Sequence, residues 1–363
     1  MRWSWKVGAI AGIGLYVHAT FLLIVGWVGL SSWSQDHSLA AALAAVIFVL
    51  ALFACVVLHE LGHALTARKF GIRTRDITLL PIGGVARLER MPDDPRQELW
   101  VALAGPAVNV AIAALLGCWL LLSGATEWLA GVSLTGGSFL QRMLALNLVL
   151  ALFNMIPAFP MDGGRVLRAL LATRMEYTRA TQYAAALGQA LAFVFGFVGF
   201  FSNPFLLFIA LFVWIGAEQE TSMVQMRSAL GGIPVRQAMV TDFRTLAPHD
   251  SLQRAIELIL SGSQQDFPVT DDGHVRGVLT RADLMLALAQ QAGPTVADVM
   301  RSEFQVADPS EMLETAFRRL QDCACRVLPV VNRGELVGLL TAENVGEFLM
   351  IQAALEKARA RVR

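Results

Sequence analysis

Residues 59–63 read His-Glu-Leu-Gly-His, two imidazoles and a carboxylate inside a run that is otherwise apolar from about residue 38 to residue 66. On a helix, His59 and His63 lie one turn apart and project from one face. Both can then reach a single Zn2+ at ~2.0–2.1 Å. Glu60 follows the first histidine and points to the side where water would meet that metal. Zinc lowers the pKa of such a water toward ~7, so a carboxylate there can take its proton and hand it to a leaving amine. On a soluble helix these five residues could be a chance match. Within an apolar helix, ionisable side chains are costly and persist where they have a functional partner.

A catalytic zinc site needs a third protein ligand and keeps a fourth position open. In the apolar part of the chain the candidates are His18, Glu127 and Asp162. Asp162 has the strongest context, in Asn154-Met155-Ile156-Pro157-Ala158-Phe159-Pro160-Met161-Asp162-Gly163-Gly164. Two prolines break an apolar run where the carboxylate arrives, and broken helices in a membrane are tolerated where they line a cavity. The competing role for Asp162 is a helix N-cap. Asn109, Asn147 and Asn154 are amides in apolar runs, where helix–helix hydrogen bonding is the plain expectation.

The elements that must position these groups are membrane helices. The chain has 363 residues, 55% of them hydrophobic and 16% charged, with mean hydropathy +0.55. Soluble domains carry roughly 25% charged residues. Stretches near 14–34, 38–66, 98–123, 138–157, 183–202 and 204–222 are apolar and close to the ~20 residues a span needs. Lys and Arg lie at the N-terminus, over 68–96 and 165–179, and after 227, and are missing from loops 32–37, 124–137 and 202–204. That alternation predicts six spans in the cell membrane with both termini cytoplasmic. The basic N-terminus runs into a long apolar stretch without a small-residue cleavage site, so a retained segment is expected rather than a signal peptide. Residues 71–91 partly alternate polar and apolar around Pro81 and Gly83-Gly84, which predicts a short re-entrant β-hairpin; the first fifteen residues can add a strand.

Formal net charge is zero, which gives no reason to expect nucleic acid as a partner. The four cysteines are too few for a disulfide framework. Cys55 and Cys118 read as small buried residues, and Cys323-Ala324-Cys325 has the wrong spacing for a zinc knuckle.

From about residue 233 the composition turns soluble and an internal repeat begins. Val235/Val296, Met239/Met300, Pro248/Pro309, Leu252/Leu313, Pro268/Pro329, Gly277/Gly338 and Thr280/Thr341 all stand 61 residues apart. Each copy predicts strand, amphipathic helix, strand, Gly-centred turn, strand and helix. The expected organisation is 1–225 for the membrane domain, 226–292 and 293–363 for the two repeats, with a basic C-terminal helix that can touch anionic lipid.

On these residues the chain resembles the site-2 proteases, intramembrane zinc metalloproteases, in the branch with C-terminal tandem CBS domains. The family's HExxH matches His59, Glu60 and His63, and its Asn-x-x-Pro-x-x-Pro-hydrophobic-Asp-Gly matches Asn154 through Gly163. A Gly-Pro-x-x-Asn element matches Gly105, Pro106 and Asn109. The resemblance implies one Zn2+ per chain held by His59, His63 and Asp162, with Glu60 as base and Asn154 stabilising the oxyanion. It implies a transmembrane protein as substrate. The hairpin could then receive the unwound substrate by strand addition. The repeats resemble CBS domains, whose Thr and Asp hold the ribose of adenine nucleotides such as ATP. Thr280 and Asp283 match that pattern, as do Thr341 and, with Asn in place of Asp, Asn344. The resemblance also implies a homodimer through the CBS pair. The fold class expected is therefore a membrane all-α domain of six helices with the hairpin, followed by an α/β CBS pair. Two other functions fit parts of the pattern, a membrane zinc enzyme acting on a lipid or prenylated peptide and a CBS-gated transporter.

Overall fold

The computed structural model describes residues 3–92, 94–124, 136–290, 293–323 and 325–362, with the side chains of 322, 356, 357 and 359–362 left out; Glu127 lies outside these. The chain divides into two compact units, Met1–Val224 and Gln225–Arg363.

The first unit opens with two strands, β1 (Ser4–Ile10) and β2 (Ile13–His18), followed by α1 (Ala19–Asp36) and α2 (Leu39–Lys69). Strands β3 (Thr74–Leu80) and β4 (Gly83–Leu88) come next. They join the first pair in one sheet of order β1-β2-β3-β4, antiparallel within each hairpin and parallel between β2 and β3. The N-terminal segment thus supplies a hairpin, more than the single strand expected. It also moves the start of the first helix to Ala19, where His18 Nδ1 accepts the Thr20 N–H as a cap. Ile13, Ile77 and Leu79 of this sheet pack on Phe53, Val57 and Leu61 of α2. The sheet is therefore seated on the helix that carries the histidines.

The remaining helices are α3 (Pro95–Leu122), α4 (Phe139–Asn154), α5 (Asp162–Ala172), α6 (Tyr177–Phe201) and α7 (Phe205–Leu230). Among the described helices of this unit, α2, α3, α6 and α7 are long and apolar enough to cross a membrane. Helix α4 is apolar but shorter at 16 residues, and α1 has 18. Leu115, Trp119 and Leu122 on α3 and Phe193, Phe200 and Phe208 on α6 and α7 are exposed, a density of large apolar groups suited to lipid rather than water. Cys118 belongs to that outward face. It is exposed, not buried as its apolar neighbours suggest, because in a membrane helix an apolar run covers all sides.

Helices α2 and α3 come together through small residues. A Cβ on Gly62 would lie 2.7 Å from the Ala104 carbonyl oxygen and 2.8 Å from Val108, so glycine is what permits the approach. In the same unit, Arg168 of α5 is fully buried and donates to Glu98 of α3 (2.8 and 2.5 Å) and to Glu220 of α7 (2.5 Å). A buried guanidinium of this kind holds three helices in one register, since removing any partner strands a charge.

In the second unit the repeats are β5 (Phe267–Asp271), β6 (His274–Leu279) and α9 (Arg281–Gln290) after α8 (Leu252–Ser261), then β7 (Val327–Asn332), β8 (Glu335–Thr341) and α11 (Ala342–Val362) after α10 (Leu313–Asp322). The expected first strand of each copy is reduced to two isolated bridges. Val240 pairs with Leu339 of the other copy and Leu246 with Val269 of its own; Arg301 with Val278 and Ala307 with Val330 repeat the pattern. Each segment crosses from one sheet to the other, too briefly along either to build a ladder. The cores follow the crossing: Leu230, Val235 and Ala238 pack with Leu313, Leu328 and Leu340, while Val296 packs with Leu252, Phe267 and Leu279.

Candidate functional site

His59 Nε2, His63 Nε2 and Asp162 Oδ2 form a triangle with all three edges 3.1 Å, and all three residues are buried. A tetrahedral zinc with ligands at ~2.0–2.1 Å has edges of about 3.3 Å, so the triangle fits that metal. The two histidines share a face of α2, as one turn of helix requires. Asp162 arrives as the first residue of α5, after the proline-broken segment in which Ala158 and Phe159 are fully buried. Gly105 of α3 faces the triangle, and a Cβ there would lie 2.6 Å from His59 Nε2 and in hard contact with His63 Nε2. Only glycine leaves the space that an ion needs.

Each imidazole is held by its other nitrogen. His63 Nδ1 meets the Val101 carbonyl at 2.7 Å. A carbonyl only accepts, so Nδ1 carries the proton and Nε2 presents its lone pair. His59 Nδ1 meets Asn109 Oδ1 at 2.5 Å. Asn109 Nδ2 donates to Asn147 Oδ1 (2.9 Å), and Asn147 Nδ2 donates to the Met143 carbonyl (2.9 Å). The direction of this chain is set at its far end. Met143 O can only accept, which fixes the Asn147 amide, then the Asn109 amide, and finally the proton on His59 Nδ1. Both asparagines are fully buried, so no water substitutes for either.

Glu60 turns to the sheet. Its Oε2 accepts the Ala86 N–H at 3.1 Å. That amide is not spent on β3, and β4 is the outer strand of the sheet, so Glu60 sits at the open edge of β4. Gly84 makes room for it, since a Cβ there would lie 2.8 Å from Glu60 Cγ. Asn154 ends α4 and donates to the Leu150 carbonyl of its own helix at 3.0 Å. The structure thus brings His59, His63 and Asp162 together, sets Glu60 beside them in sequence and against β4, and leaves Asn154 bonded within α4.

Asn109 and Asn147 were expected to bond helix to helix, and they do, but the bond from Asn109 ends on a candidate ligand. The signal available in the sequence was Gly105 and Asn109 at a spacing of four, which puts the amide one turn from the glycine facing the histidines.

In the second unit Thr280 Oγ1 donates to Asp283 Oδ2 at 2.5 Å, and Arg301 bonds both carboxylate oxygens (2.6 and 2.8 Å). Arg301 beside it holds the Asp283 carboxyl below the usual carboxylate range. Thr341 Oγ1 bonds Asn344 Oδ1 in the equivalent place.

A helical membrane unit in which two histidines and an aspartate form a buried triangle, with a glutamate adjacent, defines a membrane metalloprotease. A family model for peptidase family M50 matches residues 47–195, and one for the CBS domain matches 235–290 and 296–350. A zinc metalloprotease of Methanocaldococcus jannaschii is 33% identical over 361 residues, covering 99% of this chain and 100% of that one. The chain belongs to peptidase family M50, with tandem CBS domains, and is a multi-pass membrane metalloprotease. Stage IV sporulation protein FB of Bacillus subtilis is 32% identical over 133 residues, 36% of this chain and 43% of that one. Among solved structures, the site-2 protease from Methanocaldococcus jannaschii is 39% identical, covers 60% of this chain and 95% of that chain, and superposes with TM-score 0.44.

Proposed function

We propose that the protein hydrolyses a peptide bond in or beside the transmembrane segment of a membrane-protein substrate, using one Zn2+ per chain held by His59, His63 and Asp162. The observation that carries this reading is the buried triangle of three ligand atoms with Glu60 bonded to the edge of β4. A zinc ion held by His59, His63 and Asp162 would supply Lewis acidity to a scissile carbonyl and to the attacking water. Glu60 takes the proton from that water and delivers it to the leaving amine. Asn154, once it releases the Leu150 carbonyl, donates its amide N–H to the oxyanion that develops on the substrate. The open edge of β4 pairs with the substrate backbone. A helical substrate must unwind to be cut, and each backbone group left unpaired in lipid costs several kcal/mol. Strand addition satisfies those groups beside the base.

In the same reading the membrane domain spans 1–225 with six membrane-spanning helices and a re-entrant hairpin, both termini face the cytoplasm, and the CBS domains occupy 226–292 and 293–363. The CBS pair modulates the protease, binds an adenine nucleotide through Thr280, Asp283, Thr341 and Asn344, and joins two chains. The full-length protein in detergent with a single-span substrate tests the core of it. Glu60→Gln should retain one zinc per chain and lose cleavage by several orders of magnitude. Cleavage at the wild-type rate by that variant, or a metal-free wild type, refutes the assignment.

A further inference from the structure

The 61-residue repeat sets each position of the first cleft against a counterpart in the second, and two of those pairs bear on the ribose carboxylate. Position 283 is aspartate in the first cleft, and its counterpart 344 is asparagine in the second. Facing the first cleft, Arg301 pairs its backbone with Val278 of β6 in both directions (3.1 and 2.9 Å), which brings its side chain to Asp283 in the first turn of α9. The same crossing in the second cleft pairs Val240 with Leu339 (2.8 and 2.9 Å). Valine therefore stands where Arg301 stands. The first cleft has a carboxylate with a guanidinium locked on it, and the second has an amide and a valine at those two positions.

The lock occupies both oxygens of the carboxylate that a ribose diol would use. A carboxylate offers about four acceptor positions. Thr280 Oγ1 takes one, and Arg301 Nε and Nη2 take two more. A neutral nucleoside whose ribose engages both carboxylate oxygens must displace the guanidinium and offers it nothing in return. A phosphate offers the planar fork a bidentate acceptor of at least equal strength. Exchange is sterically open, because the Arg301 side chain is 35% exposed, whereas that of Arg168 in the membrane unit is 0% exposed and fixed.

We propose that Arg301 is the specificity residue of the first CBS cleft: it holds Asp283 until a phosphorylated nucleoside takes the guanidinium onto its phosphate and frees the carboxylate for the ribose. This rests on the nucleotide-binding reading of the CBS pair. Arg301 acts on ligand choice in two ways, by closing the cleft to unphosphorylated nucleosides and by binding the phosphate once the cleft is filled.

The test is titration calorimetry of the full-length protein in detergent with adenosine, AMP and ATP, in a Thr341→Val background that silences the second cleft. The unaltered first cleft should bind AMP or ATP about tenfold or more tightly than adenosine, the size of one charge-assisted bond. Arg301→Met should bind adenosine several-fold more tightly than before and AMP more weakly, so that the gap closes. Arg301→Lys, with charge but no fork, should fall between. A gap left intact by Arg301→Met overturns the proposal, and so does an equal loss for adenosine and AMP, which makes Arg301 structural. Equal binding of all three ligands by the parent overturns it while sparing the nucleotide reading. Binding of none, in the parent and with Thr341 restored, removes the nucleotide reading itself.

Discussion

Replacing Asn109 by leucine keeps the volume of the side chain and removes the acceptor for the Nδ1–H of His59. Asn109 and Asn147 are 0% exposed, so water does not replace the lost bond. A buried donor without a partner costs ~1–3 kcal/mol. The metal-free protein escapes most of this by moving the proton to Nε2, where Asp162 Oδ2 accepts it at 3.1 Å. The metal-loaded protein has no such escape, because its Nε2 lone pair is committed. The penalty therefore falls on metal binding: zinc affinity should drop about 10–100-fold, or ~1.4–2.7 kcal/mol, the range found when the outer partner of a metal-ligating histidine is removed. Asn147→Leu should cost several-fold less, since the Asn109 amide keeps its place and loses only the group that orients it. Competition of the full-length protein in detergent against a chromophoric zinc chelator measures this, with thermal unfolding of the metal-free form as the folding control. Affinity within about twofold of wild type for Asn109→Leu would refute the tautomer argument.

Gly105→Ala puts a methyl group onto both Nε2 atoms and should reduce zinc content to background by metal analysis; stoichiometric zinc in that variant shows that the helices can separate. Gly84→Val presses on Glu60 Cγ and on Val56 Cγ1 at 3.0 Å, and a displaced base can cost about 100-fold in kcat. Zinc content should stay at one per chain, and a parallel loss of zinc argues against a local effect on Glu60. Arg168→Met leaves Glu98 and Glu220 without their cation, a change worth ~3–5 kcal/mol in a buried pair. It should lower the thermal midpoint in detergent by many degrees, with Glu98→Gln in the same chain recovering part of the loss; an unchanged midpoint contradicts the role given to this network.

Local chemistry made much of the site legible in advance. His59 and His63 share a face because four residues make nearly one helical turn. Asp162 stood out because charge after two prolines in an apolar run has few bland explanations. The hairpin at β3 and β4 was legible from its turn residues, and the CBS repeat from its constant spacing. Cys118 was misread because apolar surroundings in sequence mean burial in water but a lipid face in a membrane helix.

Spacing within each segment was thus enough to single out His59, Glu60 and His63 on one helix and Asp162 behind its prolines as candidates, since that needs only the geometry of a helix and the chemistry of each side chain. That they meet in one triangle depends on segments 99 to 103 residues apart. Three further relations depended on segments far apart meeting in space. The Val101, Asn109 and Asn147 contacts that set the tautomers join α2, α3 and α4. The bond from Glu60 to Ala86 depends on the sheet lying against α2. The grip of Arg301 on Asp283 follows from a strand crossing between repeats. Each is a hydrogen bond whose partners lie 18 to 50 residues apart, and whose existence depends on helix packing and strand exchange, which no local pattern encodes.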